Sequence, residues 1–135
     1  METITAFTAH ETEKKISDFF DIKETASALC PVKDVLSTVG DKWSVFVMVT
    51  LGKNKTMRFN ELKHAIGGIS QKMLTVTLRE MESFGLLSRE IFPQIPPKVE
   101  YTITPMGEEF LRHLVVMLEW ACANSGKIAE NRKKQ

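Results

Sequence analysis

Apolar residues recur along this chain at helical spacing, and the pattern is sharpest between Gly68 and Leu86. Leu74, Leu78 and Met81 stand at i, i+4 and i+7, on one face of a helix of about 15 residues. Ser70 suits the N-cap, because its hydroxyl can accept a bond from an orphan amide of the first turn. Gly67-Gly68 breaks whatever precedes the helix, and Gly85 stops it. At about 100° per residue, Lys72, Val76 and Arg79 fall opposite the apolar face, with Thr75 on its flank. The outward set of Gln71, Lys72, Thr75, Val76 and Arg79 is hydrogen-bonding, basic or methyl-bearing. Those are the side chains that read base edges in a major groove. An ordinary surface helix of mixed charge also carries such a face, so the face alone leaves both readings open.

The neighbouring segments extend the pattern. Thr8 and Glu11 have the spacing of a capping box. Ile16, Phe19, Phe20 and Lys23 follow as a short amphipathic helix whose small apolar face needs another surface. Cys30-Pro31 opens the next helix, with Pro at its first position and Cys30 as N-cap. Val32, Val35, Leu36 and Val39 continue it to Gly40. From Trp43 to Leu51 nearly every position is apolar. Propensity favours a strand there, whereas length and the Gly40-Asp41 start favour a helix buried on most sides. Gly52 to Thr56 predicts a polar turn, and Met57-Arg58-Phe59 a short extended piece. Phe59, Leu62 and Ile66 form another helical stripe, starting near Asn60 and ending at Gly67-Gly68. Helix, glycine turn, helix is the helix-turn-helix arrangement.

Beyond Gly85 the period changes to two. Leu87–Phe92 and Val99–Ile103 alternate as strands, and Pro93-Gln-Ile-Pro-Pro-Lys98 is a stiff tip between them. Thr104-Pro105 caps a last helix. Its apolar positions from Met106 to Ala121 are wider than one core contact needs, which predicts a second buried surface, most simply a dimer interface. The residues after Asn124 are polar and read as a frayed tail.

Net charge is +1 across 135 residues, but it is unevenly spread. Residues 53–79 hold six basic side chains against Glu61 alone, a net of +5. A basic block ending in the central helix is the footprint of a phosphate-binding surface, although a short chain also clusters charge by chance. No apolar run approaches the roughly 18 residues that a membrane span needs, and the first residues do not resemble a signal peptide. Two widely separated cysteines make no disulfide framework. Together these features predict a cytosolic protein. His10, His64 and His113 lie in three different elements without metal-ligand spacing. No phosphate-cradling glycine loop or Ser-His-Asp set is present. We therefore expect no enzyme, no metal and no cofactor. Met73, Met81, Met106 and Met117 read as core fillers.

The residues resemble the HxlR-type transcriptional regulators, winged-helix relatives of the MarR group. The motifs that carry the resemblance are Cys30-Pro31-Val32, Gly40-Asp41-Lys42-Trp43, Arg58-Phe59-Asn60-Glu61-Leu62, Ile69-Ser70-Gln71-Lys72-Met73-Leu74, Leu78-Arg79-Glu80-Met81-Glu82, and Pro96-Pro97-Lys98-Val99-Glu100-Tyr101 leading into Thr104-Pro105-Met106-Gly107. They span about residues 30 to 124. The chain departs from the family pattern in its 29 residues ahead of Cys30 and in Asp41, which stands where the family repeats glycine.

The resemblance implies a mainly α fold with a small β-hairpin, a winged helix-turn-helix that dimerises through its N- and C-terminal helices. Residues 1–29 would be an N-terminal extension, 30–124 the DNA-binding domain and 125–135 a basic tail. It also implies a homodimer on a pseudo-palindromic double-stranded operator. Ser70, Gln71, Lys72, Thr75, Val76 and Arg79 would face the major groove, with Arg58 on a phosphate and Lys98 at the wing tip. A small-molecule effector between the dimer helices, as in the MarR group, is compatible with it.

Cys30 is a candidate redox sensor. A thiol at a helix N-terminus sits at the positive end of the dipole, with Lys33 one turn on, which favours thiolate. Oxidant- and electrophile-sensing members of the family use a cysteine matching Cys30. The competing reading is a small buried hydrophobe. Cys122 reads as core, or as a resolving partner for Cys30. The alternative for the whole chain is a winged-helix module that binds protein rather than DNA.

Overall fold

The computed structural model describes residues 7–23 and 26–135, without the side chains of Phe20, residues 22–23 and residues 26–31. The chain divides into two compact units, the first ending at Asp41 and the second starting at Lys42. The first holds α1 (Ala9–Lys23) and α2 (Ala26–Gly40). The second holds α3 (Lys42–Asn54), β1 (Thr56–Arg58), α4 (Phe59–Ile66), α5 (Gln71–Ser83), β2 (Leu87–Phe92), β3 (Lys98–Ile103), α6 (Pro105–Ala123) and α7 (Ser125–Lys133).

In the first unit the capping box ahead of α1 is formed in both directions. The Thr8 amide donates to Glu11 Oε2 at 2.9 Å, and the Glu11 amide donates to Thr8 Oγ1 at 3.2 Å. The backbone bond from Thr8, then its hydroxyl, then Lys15, hold the Glu11 carboxyl below its ordinary value. A depressed carboxylate stabilises the folded form above its ordinary value, and that contribution is lost as pH falls through the lowered one. The Thr8 amide resonance is therefore expected to titrate with a midpoint below that of a free glutamate. Glu11→Gln should abolish the titration, and a Thr8 amide insensitive to pH in the native chain would exclude the bond.

Helix α2 starts at Ala26, a full turn before the expected cap at Cys30. Ala26, Ala28 and Leu29 are strong helix formers and carry the helix upstream. Cys30-Pro31 consequently lies inside the helix, and the dipole argument for a thiolate at Cys30 does not hold. The Cys30 thiol itself lies outside the described residues.

The second unit is built on α3. It is a helix, despite its strand-like composition, and it buries Ser44, Val47, Met48 and Leu51. Trp43, Val45 and Thr50 are half-buried beside them, so from Trp43 to Leu51 only Phe46 and Val49 are exposed and the helix is covered on most sides. It also runs through Gly52 to Asn54, where a turn was expected. A Cβ at Gly52 would collide with the Leu111 side chain, so this glycine lets α3 and α6 approach closely. Lys55 then takes a left-handed conformation with φ +69°, and its carbonyl accepts the Ile103 amide at 3.1 Å.

Leu62, Ile69, Leu74, Leu78, Met81, Leu86, Leu87, Ile103 and Leu114 complete the core around α3. The three strands form an antiparallel sheet in the order β1-β3-β2. Leu87 pairs with Ile103 at the core end and Phe92 with Lys98 at the outer end. Thr104 joins two elements: its hydroxyl accepts the Gly107 amide at 3.0 Å and donates to the Gly85 carbonyl at 2.6 Å. After Asn124 the chain is helical rather than frayed. No helix among the described residues is long and apolar enough to cross a membrane.

Candidate nucleic-acid interface

The turn between α4 and α5 is made by Gly67 and Gly68, with φ of +71° and +73°. Two successive left-handed residues reverse the chain at a cost that only glycine avoids. Helix α4 is capped at Arg58 rather than at Asn60, and the Arg58 amide donates to Glu61 Oε1 at 2.8 Å. Helix α5 begins as its sequence predicts. Ser70 Oγ accepts the Met73 amide at 3.0 Å, which leaves its hydroxyl proton free for an outside acceptor. The helix ends in a Schellman motif. The Leu86 amide reaches the Met81 carbonyl, the Gly85 amide reaches Glu82, and Gly85 has φ +82°.

Leu74, Thr77, Leu78 and Met81 hold α5 to the core. Opposite them Lys72, Val76 and Arg79 are exposed, with Val76 at 51%. Gln71 is exposed on the flank, and Thr75 is half-buried. The Thr75 hydroxyl donates to the Gln71 carbonyl at 2.8 Å. Its single proton is thereby committed, and an outside partner meets its methyl group and lone pairs. Among the described residues the ion pairs are Lys55–Glu108, Arg89–Glu82 and Lys98–Glu100. Lys72, Arg79 and Arg58 have no acidic partner there, so their charge is available to an anion.

The wing meets α5 at its base. Arg89 Nε lies 3.7 Å from Glu82 Oε1, a pair exposed enough to contribute little to stability. Burial pushes the nearby Tyr101 phenol above its ordinary value, and Arg89 and Arg79 partly oppose the shift. Lys98 departs from its expected place as a free cation at the tip. Its ammonium is 3.1 Å from Glu100 Oε1 and 4.8 Å from the centre of the Phe92 ring, and the side chain is largely covered. A carboxylate two residues along the same strand and the aromatic face of its cross-strand neighbour neutralise and hold it.

Two groups of residues near the interface were not assigned to it from the sequence. Asn60, Lys63, His64 and Gly67 line a shallow recess of about 350 Å³ beside the helix-turn-helix turn. Met73 is 43% exposed in the first turn of α5. Met106 and Met117 are exposed as well, so of the four methionines assigned to the core only Met81 belongs there. For Met73 the signal is its place off the stripe of Leu74, Leu78 and Met81. Cys122 is likewise exposed rather than core.

The family model described as HxlR-like helix-turn-helix matches residues 38–128. An HTH-type transcriptional regulator of Methanothermobacter thermautotrophicus is 44% identical over 92 residues, covering 68% of this chain and 70% of that protein. Among solved structures, the transcriptional regulator ytfH of Salmonella typhimurium superposes with a TM-score of 0.69 at 36% identity, covering 77% of this chain and 92% of the other. The redox regulator HypR in its reduced form gives a TM-score of 0.66 at 35% identity, covering 74% and 98%. Arrangement and likeness agree: the chain belongs to the HxlR-like helix-turn-helix family, whose relatives here are transcriptional regulators.

Proposed function

We propose that this regulator is a homodimer that binds a pseudo-palindromic double-stranded operator, with α5 of each protomer in successive major grooves about 34 Å apart. The observation that carries the reading is the pair of unpartnered cations, Lys72 and Arg79, directly opposite the buried stripe of Leu74, Leu78 and Met81. Lys72 and Arg79 reach phosphates or guanine edges, Gln71 pairs with adenine, and Thr75 and Val76 touch thymine methyls. Ser70 and Arg58 bind phosphates. Lys98, already paired, supports the wing and contributes little charge to the contact. Dimerisation is supported by the exposed apolar side of α6, where Val115, Val116, Met117 and Trp120 stand outside the core.

Fluorescence anisotropy with a duplex from beside the protein's own gene tests the reading. Tight binding at two chains per duplex, falling steeply with salt, is the expected result. A chain indifferent to all DNA at low salt would instead favour a winged-helix module that binds protein.

A second reading concerns the signal. HypR is a redox regulator solved in both reduced and oxidised forms, and this chain is similar to each. That likeness supports thiol oxidation at Cys30 as the switch, whereas the position of Cys30 within α2 does not. Mild oxidant is expected to change operator affinity at least severalfold, and Cys30→Ser to remove that response. An undiminished response in Cys30→Ser would exclude the assignment.

A further inference from the structure

The tip of the wing, Pro93-Gln-Ile-Pro-Pro97, carries no charged residue. The lysine that follows it is paired with Glu100 and covered by Phe92. What the tip offers instead is Ile95, whose relative exposure is 101%. A single exposed apolar residue usually needs no explanation, but three features set this one apart. First, Pro96 follows it directly and restricts its backbone, so little main-chain freedom is left to lose. Second, the six residue pairs from Leu87↔Ile103 to Phe92↔Lys98 set the tip roughly 17–20 Å along the hairpin from its Leu87–Ile103 end. Third, Arg58 lies beside the tip, sharing a groove of about 470 Å³ with Gln94, Pro96 and Pro97. A cation that anchors a phosphate therefore stands next to an apolar point with nothing to bury against.

We propose that Ile95 is a wedge that enters the minor groove flanking each half-site and partly unstacks one base step, bending the operator. The proposal rests on the DNA-binding reading and deepens it by assigning the wing its mode of contact. Apolar side chains inserted between base steps kink duplexes toward the major groove. The steps that yield most readily are TA and CA/TG. The wing would thus read deformability, adding preference at positions where no side chain hydrogen-bonds a base. The flexible step contains a thymine on at least one strand, which makes the insertion visible to a chemical probe.

Permanganate, which oxidises unstacked thymines, should therefore be applied to the same duplex together with end-to-end energy transfer as a measure of bending. The native chain is expected to produce hyper-reactive thymines placed symmetrically about the operator centre, and a shortened end-to-end distance. Ile95→Ser should lose both signals and bind up to about tenfold more weakly. Ile95→Leu should keep them. Because Ile95 is fully exposed, neither change should disturb folding. If Ile95→Ser bends and unstacks the duplex as the native chain does, the wedge is overturned while DNA binding stands. If the native chain binds without bending or unstacking, the wedge is likewise overturned. If it binds no duplex even at low salt, the DNA reading fails and takes the wedge with it.

Discussion

Replacing Lys72 and Arg79 together by alanine is expected to weaken operator binding by about a thousandfold. A phosphate or guanine contact by such a cation is worth roughly 1–3 kcal/mol, and a dimer loses each contact twice. Even at the low end, four lost contacts amount to about 4 kcal/mol, or three decades in affinity. The salt dependence separates the roles. If both side chains lie on phosphates, the slope of log affinity against log salt should become shallower by nearly one per lost contact. If one of them reads guanine, the slope changes less and discrimination between operator and random duplex falls instead. Stability should be nearly untouched, since both side chains are exposed and have no acidic partner among the described residues. Lys72 in fact sits in the first turn of α5, where the helix dipole disfavours a positive charge. The double variant should therefore unfold at the same urea concentration as the native chain or slightly above it. A loss of less than threefold in affinity would falsify the assignment of this face to DNA.

The second large effect is on folding. Gly107→Val is expected to cost about 3 kcal/mol, read as a lower urea midpoint with unchanged slope. Gly107 is buried in the first turn of α6, and a Cβ there would collide with the Leu86 carbonyl and the Ile103 side chain. That stretch of backbone cannot move aside cheaply. The Leu86 carbonyl accepts the Thr104 amide at 3.1 Å, the Leu86 amide closes the end of α5, and the Leu86 side chain is in the core. The contrast is Gly126→Ala in α7, where nothing lies within 4 Å of the added carbon. There the change should be neutral or stabilising by up to about 1 kcal/mol, through helix propensity alone. Equal effects at the two glycines would mean that close packing at Gly107 is not what selects glycine there.

The central helix was legible because its signals are local and mutually consistent. Ser70, the i, i+4, i+7 stripe and Gly85 each act within one or two turns, and the structure ends α5 through the hydrogen bonds such residues make. The wing was legible for the same reason, since alternation on either side of a proline-rich tip leaves few options. Boundaries were harder. Sequence placed the start of α2 at Cys30 because proline favours a first turn, yet the alanines upstream extend it. It placed a turn at Gly52 because glycine breaks helices, yet this glycine is there to admit Leu111.

The sequence by itself determined the class of fold, the helix that faces outward and the side chains on it, because helical and strand periods depend only on residue order. It could not decide what each exposed group finds beside it. Lys98 reads as a free cation until the pairing of β2 with β3 lays the Phe92 ring against it, beside Glu100 of its own strand, and Gly52 reads as a helix breaker until α6 brings Leu111 to it. Burial, ion pairing and close approach are relations between segments distant in the chain. They exist only once α3, α5, α6 and the sheet have packed, so it is the tertiary structure that leaves the outward Lys72 and Arg79 without an acidic partner among the described residues, keeps Ile95 open and closes Lys98.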